Sequence, residues 1–261
     1  MKTRSEAREV VRALVVLPQP AAKRLIGRAV AHLPQVERAK RDGLIVVGLG
    51  TANAYVLEEL LGEPVEKGRY CAGYVGKKLG VVPAERRLNM VVFERGQPKT
   101  LEWPEILARL SPGDVVIKGG NILDPEGVVG VFMAADDGGT VGKFYPAALA
   151  RGVEVIIPIS RAKSVHFSVS EIVGELGKGR IKWASGAKVG VFPLMGTVIT
   201  ETEAVEFLYD VEAWHLATGG VGEGKGAVVL LLRGEEEKVK KAFEELTYLA
   251  ETEREPAWEE G

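Results

Sequence analysis

The residues best suited to chemistry lie in three glycine loops. Gly48-Leu-Gly50-Thr51-Ala-Asn53 follows the apolar run Leu44–Val47 and precedes a helical pattern. Glycines at a strand-to-helix turn let backbone N–H groups approach an anion, and the helix dipole favours negative charge there. Thr51 and Asn53 add a hydroxyl and an amide. A plain tight turn with Asn53 as helix cap accounts for the same residues. The loop is not a full G-x-G-x-x-G, because residue 53 is Asn, and no Gly-Lys-Ser/Thr follows to make a Walker loop. The second loop, Lys118-Gly119-Gly120-Asn121 and on to Asp124-Pro125, ends the run Asp114–Ile117. A lysine leaving an apolar strand can hold a phosphate or carboxylate as a point charge. Asp124 before proline reads as a turn former or as a proton carrier. The third loop, Asp136-Asp137-Gly138-Gly139-Thr140-Val-Gly142-Lys143, offers another nest of backbone amides. Its aspartates suit a metal or a base, and equally a solvated turn with a helix cap.

Other candidates are weaker. Gly219–Gly226 is rich in glycine but falls between two strand patterns with no helix start, which fits a hairpin loop. His32, His166 and His215 show no spacing for a metal site or triad, so no metal is expected. Of these, His166 stands out, on a loop with Arg161 and Lys163. Cys71, the single cysteine, reads as a small buried hydrophobe.

These loops need elements to position them. Leu44–Val47, Asp114–Ile117 and Val153–Ile157 are short apolar runs, each ending in a small-residue or polar loop. Strands apolar on both faces belong to a parallel sheet covered by helices, so the expected fold class is α/β. Further strands are expected within Arg69–Gly76 and Leu88–Glu94. The first segment, 1–43, is expected to be helical: Ser5–Leu17 carries Val10, Val11, Leu14 and Leu17 at helical spacing, and a second helix buries Leu25, Ile26, Ala29, Val30 and Leu33. Residues 44–180 form the expected ligand-binding α/β domain, a Rossmann-like sheet with helices on both faces. Residues 181–255 read as β-α-β-β-α, most of a ferredoxin-like unit, opened by Val189–Leu194 and closed by the helix Glu235–Leu249.

Composition narrows the function classes. The chain has 261 residues, 46% hydrophobic and 27% charged, enough to bury a core without disulfides. Its 34 basic and 36 acidic residues give a net charge of −2, so no broad nucleic-acid or anionic-membrane surface is expected. No run reaches the roughly 20 apolar residues of a membrane span. One cysteine fits a reducing compartment and a cytoplasmic location. Three Asn and three Gln against abundant Glu, Lys and Arg follow a thermophile tendency. Alternating apolar positions at Val211, Ala213 and Leu216 suggest a sheet face covered in a homo-oligomer.

In combination the loops resemble those of the superfamily containing ribose-5-phosphate isomerase, glucosamine-6-phosphate deaminase, CoA transferases and the methylthioribose-phosphate isomerase/initiation-factor-2B group. Ile45-Val-Val-Gly48-Leu-Gly50-Thr51 is similar to their first phosphate loop. Asp114-Val-Val-Ile-Lys118-Gly119-Gly120-Asn121-Ile-Leu-Asp124-Pro125 resembles the "DVVIDGADEVDP" segment of the pentose isomerase. Gly139-Thr140 through Ser160 is similar to the glycine-threonine helix and following strand of the methylthioribose-phosphate group. The resemblance covers about residues 44–165 and implies a phosphorylated small-molecule ligand. The departures are chemical. Lys118 and Asn121 stand where the pentose isomerase has its two active-site aspartates, only Asp124 keeps the acid, and no glutamate follows Gly138-Gly139.

Two functions are therefore expected to compete. One is an isomerase or lyase acting on a sugar phosphate or nucleotide-derived phosphate. Gly48, Gly50, Thr51, Asn53, Lys118, Gly119, Gly120, Asn121, Gly139, Thr140 and Lys143 would hold the ligand, with Asp124 or Asp137 as proton carrier and no cofactor. The other is a non-catalytic ligand sensor or regulatory subunit using the same pocket, since one fold hosts many functions.

Overall fold

The structure, a computed structural model, describes residues 10–257. In chain order the elements are β1 (Val10–Leu17), α1 (Gln19–Ala31), α2 (Pro34–Asp42), β2 (Leu44–Val47), α3 (Thr51–Leu61), β3 (Gly73–Val75), β4 (Leu79–Val81), β5 (Val91–Glu94), β6 (Gln97–Lys99), α4 (Trp103–Arg109), β7 (Val115–Ile117), β8 (Ile122–Leu123), β9 (Val129–Met133), α5 (Gly139–Arg151), β10 (Glu154–Pro158), α6 (Val169–Val173), β11 (Gly190–Leu194), β12 (Thr197–Ile199), α7 (Glu201–Tyr209), β13 (Glu212–Gly219), β14 (Ala227–Glu235) and α8 (Glu236–Thr252).

The class is α/β. The central sheet has strand order β12-β10-β7-β2-β5-β6. Its first four strands are mutually parallel, and β5 and β6 run antiparallel at one edge. Strand alternation explains the continuous apolar runs. Ile45, Val47, Val115, Ile117 and Ile156 point into a core shared with α1 and α3. Leu44, Val46, Val116, Val155 and Ile157 point the other way, against Ile106 of α4 and Val141, Phe144 and Ala148 of α5. Both faces are thus dry.

The start of the chain corrects the sequence reading. Residues 10–17 form a strand, not a helix; residues 5–9 of the expected helix lie outside the described residues. Val10, Leu14 and Val16 are exposed while Val15 and Leu17 are buried, a period of two. Val10, Val11, Leu14 and Leu17 fit helical spacing as well, but Val11, Val15 and Val16 add β-branched bulk that favours a strand once a partner is present. That partner is β14, paired antiparallel from Val10–Glu235 to Leu17–Val228.

The resulting sheet has order β1-β14-β13. The strand expected to open the C-terminal unit lies elsewhere, because β11 pairs with β9 in a separate sheet of order β11-β9-β8. Val211 and Ala213 are buried, so they do not form an exposed face. The opposite side of the sheet exposes Leu14, Val16, Trp214 and Leu216. One apolar cluster continues from the central sheet through α1 into β14 and α8, so the terminal sheet shares its core with the domain before it. Among the described residues no helix is long and apolar enough to cross a membrane.

Candidate functional site

Because β2, β7 and β10 are adjacent and parallel, their C-terminal ends meet at one edge of the sheet. Ligands of open α/β sheets sit outside such ends. A cavity of about 430 Å³ lies there, lined by Gly50–Asn53, Lys118–Asn121 and Gly138–Val141, with Lys143 at its margin. The third loop arrives by a different route from the first two. It follows β9 of the second sheet and starts α5, and β10 comes only after that helix.

Asn53 joins the first two loops. Its side chain is fully buried; Nδ2 donates to the Gly48 carbonyl at 2.7 Å and Oδ1 accepts from the Gly119 N–H at 3.1 Å. It is the third residue of α3 and not its cap; Gly50 occupies the cap position. Gly48 lies behind the cavity wall: its N–H donates to the Ile117 carbonyl, and a Cβ here would come within 3.2 Å of Lys118 Cδ. Gly120 is required by contact, since a Cβ would lie 2.1 Å from Val129 Cγ1.

The charges around the cavity are one-sided. Arg87, Lys118, Lys143 and Lys163 line it against one acid, Asp137. Lys118 Nζ donates to the neighbouring Gly119 carbonyl at 2.8 Å, and Lys163 Nζ to the Gly120 carbonyl at 2.6 Å. Among the described residues neither lies within ion-pair distance of a carboxylate. Burial pushes the Lys118 ammonium down to about 8. Lys163 is also pushed down to about 8, by burial first and then by the charges of Lys23 and Lys118. The first turns of α3 and α5 both border the cavity, bringing N–H groups without intrahelical partners and the positive ends of two helix dipoles.

The two expected proton carriers are not placed for that role. Asp124 is buried outside the lining residues. Its Oδ1 accepts from the N–H groups of Glu126 and Val128, and its Oδ2 from Val169 N–H at the start of α6. It is a turn former. Asp137 does line the cavity, but at an exposed rim, where it accepts from Gly139 N–H and stands 3.7 Å from Lys143 Nζ. The Gly139 hydrogen bond, with Lys143, holds its carboxyl below the usual aspartate range, which suits a helix cap better than a proton carrier near neutral pH. Asn121 turns its Oδ1 to the Phe132 N–H. Thus all the expected site residues line the cavity except Gly48 and Asp124.

Lys163 lines the cavity and His166 does not; His166 is exposed and stacks edge-on against Phe167. The missed signal was position: Lys163 follows Pro158-Ile-Ser160, the end of the third parallel strand. Arg87 and Tyr74 reach the cavity from the β3–β4 region, where no motif marks them. Cys71 is buried, and burial raises its thiol. Gly219–Gly226 does connect the hairpin β13–β14. Gly222, Glu223 and Lys225 from that loop border a second cavity of about 800 Å³. The second cavity shares Thr51, Tyr74, Asn121 and Lys163 with the first, and adds Lys23 and the segment Glu253–Glu255. No group of three His, Cys, Asp or Glu among the described residues is arranged to hold a metal. Comparisons of the chain with protein-family models, with curated proteins and with solved structures find no match.

Proposed function

We propose that this cavity binds a small phosphorylated metabolite, a sugar phosphate or nucleotide-derived phosphate, in a reaction of isomerase or lyase type. The observation that carries this reading is the pair of half-buried lysines, Lys118 and Lys163, whose ammonium groups among the described residues hydrogen-bond only to backbone carbonyls. A buried cation without a carboxylate is costly to maintain, and a bound anion removes that cost. The first turns of α3 and α5 border the cavity and favour an anion there, whereas the N–H groups of Gly48, Gly50, Gly119 and Gly139 are already donated to Ile117, Tyr70, Asn53 and Asp137. The resemblance of Gly48–Thr51, Lys118–Pro125 and Gly139–Ser160 to the sugar-phosphate isomerase superfamily agrees with this reading, as does a sheet with four adjacent parallel strands. The buried thiol of Cys71 fits a reducing, cytoplasmic setting.

The second reading, a non-catalytic sensor, is favoured by the positions of Asp124 and Asp137, neither of which puts an acid inside the cavity. Thermal shift and calorimetry with a panel of sugar and nucleoside phosphates test the shared claim. Lys163→Met is expected to weaken the best phosphate ligand by roughly 10- to 100-fold, the worth of one charge-assisted contact. It should leave the unliganded melting temperature unchanged or higher. The proposal fails if no phosphate stabilises the protein, or if the variant melts far lower while ligand stabilisation is undiminished. Turnover with proton exchange into solvent separates enzyme from sensor.

A further inference from the structure

We infer that Lys118 is a nucleophile that forms an imine with the carbonyl carbon of a phosphorylated aldehyde or ketone, while Lys163 holds the phosphate. This rests on the phosphate-site reading and deepens it to a substrate class.

The inference starts from what the cavity lacks. Acid–base chemistry on a sugar needs a positioned His, carboxylate, Lys, Tyr or Cys near the reacting carbons. The one carboxylate of the lining is Asp137, exposed and already bonded to Gly139 N–H. Besides the phenol of Tyr74, the lining offers the amines of Lys118, Lys143 and Lys163. Lys118 follows β7 with its Cδ against Gly48, at the junction that Asn53 clamps from both sides. Its one acceptor is the Gly119 carbonyl at 2.8 Å, a bond that a neutral amine makes as well as an ammonium. Lys163 opposes it from the loop after β10, held by the Gly120 carbonyl. Two ammonium groups beside one cavity disfavour each other, and the lysine that discharges becomes nucleophilic. Burial, which brings Lys118 to about 8, works the same way. Lys163 is the better phosphate holder because it lies where the two cavities join, with Lys23 beyond it.

The step balances without an outside reagent. The Nζ lone pair attacks the carbonyl carbon, and the C=O π pair moves to oxygen. The two N–H protons leave with that oxygen as water, and a C=N bond replaces C=O. One solvent proton makes the iminium, an electron sink for removing a proton or breaking a bond at the adjacent carbon.

The test uses the full chain, glyceraldehyde 3-phosphate as the carbonyl probe and borohydride at pH 8 to reduce any imine to a stable secondary amine. Adducts are counted by intact mass and located by peptide mapping. About half of an amine of pKa near 8 is neutral at that pH, against well under 1% of an ordinary lysine, so Lys118 should label at least about tenfold faster than exposed lysines. Glycerol 3-phosphate, which lacks the carbonyl, should suppress the labelling and stabilise the protein thermally. Lys118→Arg and Lys118→Met should both abolish the mapped adduct, and two variants guard against one that misfolds. Adducts spread evenly over surface lysines, or placed on Lys163, while glycerol 3-phosphate still stabilises the protein, would overturn the imine and leave the phosphate site standing. Absence of both adduct and stabilisation would overturn both.

Discussion

Arg24 on α1 and Lys118 at the end of β7 are both cations held away from water, and their surroundings differ in kind. Arg24 spends its guanidinium on three carboxylates: Nη2 on Glu58 at 2.6 Å, Nη1 on Glu59 at 2.8 Å and Nε on Glu253 at 2.6 Å. It also lies over the Tyr55 ring, 5.0 Å from the centroid, with Lys67 at 4.9 Å from the same ring. Burial alone would lower the Arg24 guanidinium, but hydrogen bonds to Glu253, Glu58 and Glu59 outweigh it and raise it. Burial would likewise raise Glu58, and Lys67 and Arg24 bring it down instead. Lys118 and Lys163 have carbonyls only, and burial prevails in both. A charge neutralised inside the protein ties elements together. A charge left to carbonyl dipoles ties no second charged element to its own.

The sharpest way to break that contrast is to remove Arg24. Arg24→Met leaves Glu58, Glu59 and Glu253 clustered without their common partner and unties the residue after α8 from α1. The expected loss is about 3 kcal/mol, the scale for removing one partner of a largely buried pair. Urea unfolding measures it. Lys163→Met, made in parallel, should cost nothing at neutral pH. Equal losses would mean that the cavity lysines are structural after all.

Asn53 gives the next largest effect, because it belongs to the site and to the fold together. Asn53→Asp keeps an acceptor for Gly119 N–H but sets a carboxylate oxygen against the Gly48 carbonyl, where the amide now donates. About 2 kcal/mol of stability should go, the worth of a buried bond lost and an acceptor left facing another acceptor. Hydrogen exchange at the first two strand-end loops should quicken more than in β14. A uniform acceleration across the molecule would mean that Asn53 is only one contributor to a general core.

What could be read in the sequence follows the same division between local and distant causes. Within the runs 44–47, 114–117 and 153–157, the stretches Leu44–Val47, Val115–Ile117 and Val155–Ile157 carry their own evidence, because a strand buried on both faces is apolar at successive positions. The glycine loops after the first two also read correctly, since backbone approach demands glycine locally. The strand at Val10–Leu17 did not, because its apolar positions satisfy two periods and the partner that decides between them lies more than two hundred residues away. Gly190–Leu194 was legible as a strand but not its neighbour β9, for the same reason. At Asp124 the plain reading holds: Asp-Pro is a turn signal, and a turn is what it makes. Lys163 sits in Arg161-Ala-Lys163, without glycine, and becomes part of the site only when β10 is laid beside β7.

The smallest expected effect is the pH dependence that the cavity lysines impose on stability. Each has a folded-state value near 8 against 10.5 for an ordinary lysine. Below pH 8 both folded and unfolded chains carry the proton, and the cost of the buried charge is constant. Between pH 8 and about 10 the unfolded chain still binds a proton that the folded chain has released, so stability rises with pH. Across pH 8 to 9.5 the gain should be on the order of 1 kcal/mol per lysine. The window closes above that, because burial raises the hydroxyls of Tyr55, Tyr70 and Tyr209. Their ionisation in the unfolded chain then lowers stability. Urea unfolding from pH 7 to 9.5 should show the rise in the wild type and a much flatter profile in Lys118→Met/Lys163→Met. Saturating glycerol 3-phosphate should remove the Lys163 share of the wild-type rise, because a bound dianion restores that lysine toward its ordinary value and it then holds its proton through this range in both states. A rise that survives in the double variant would assign it to Lys23, which burial also lowers. A wild-type profile already flat would show that Lys118 and Lys163 stay charged in the free protein, and the contrast with Arg24 would lose its electrostatic basis.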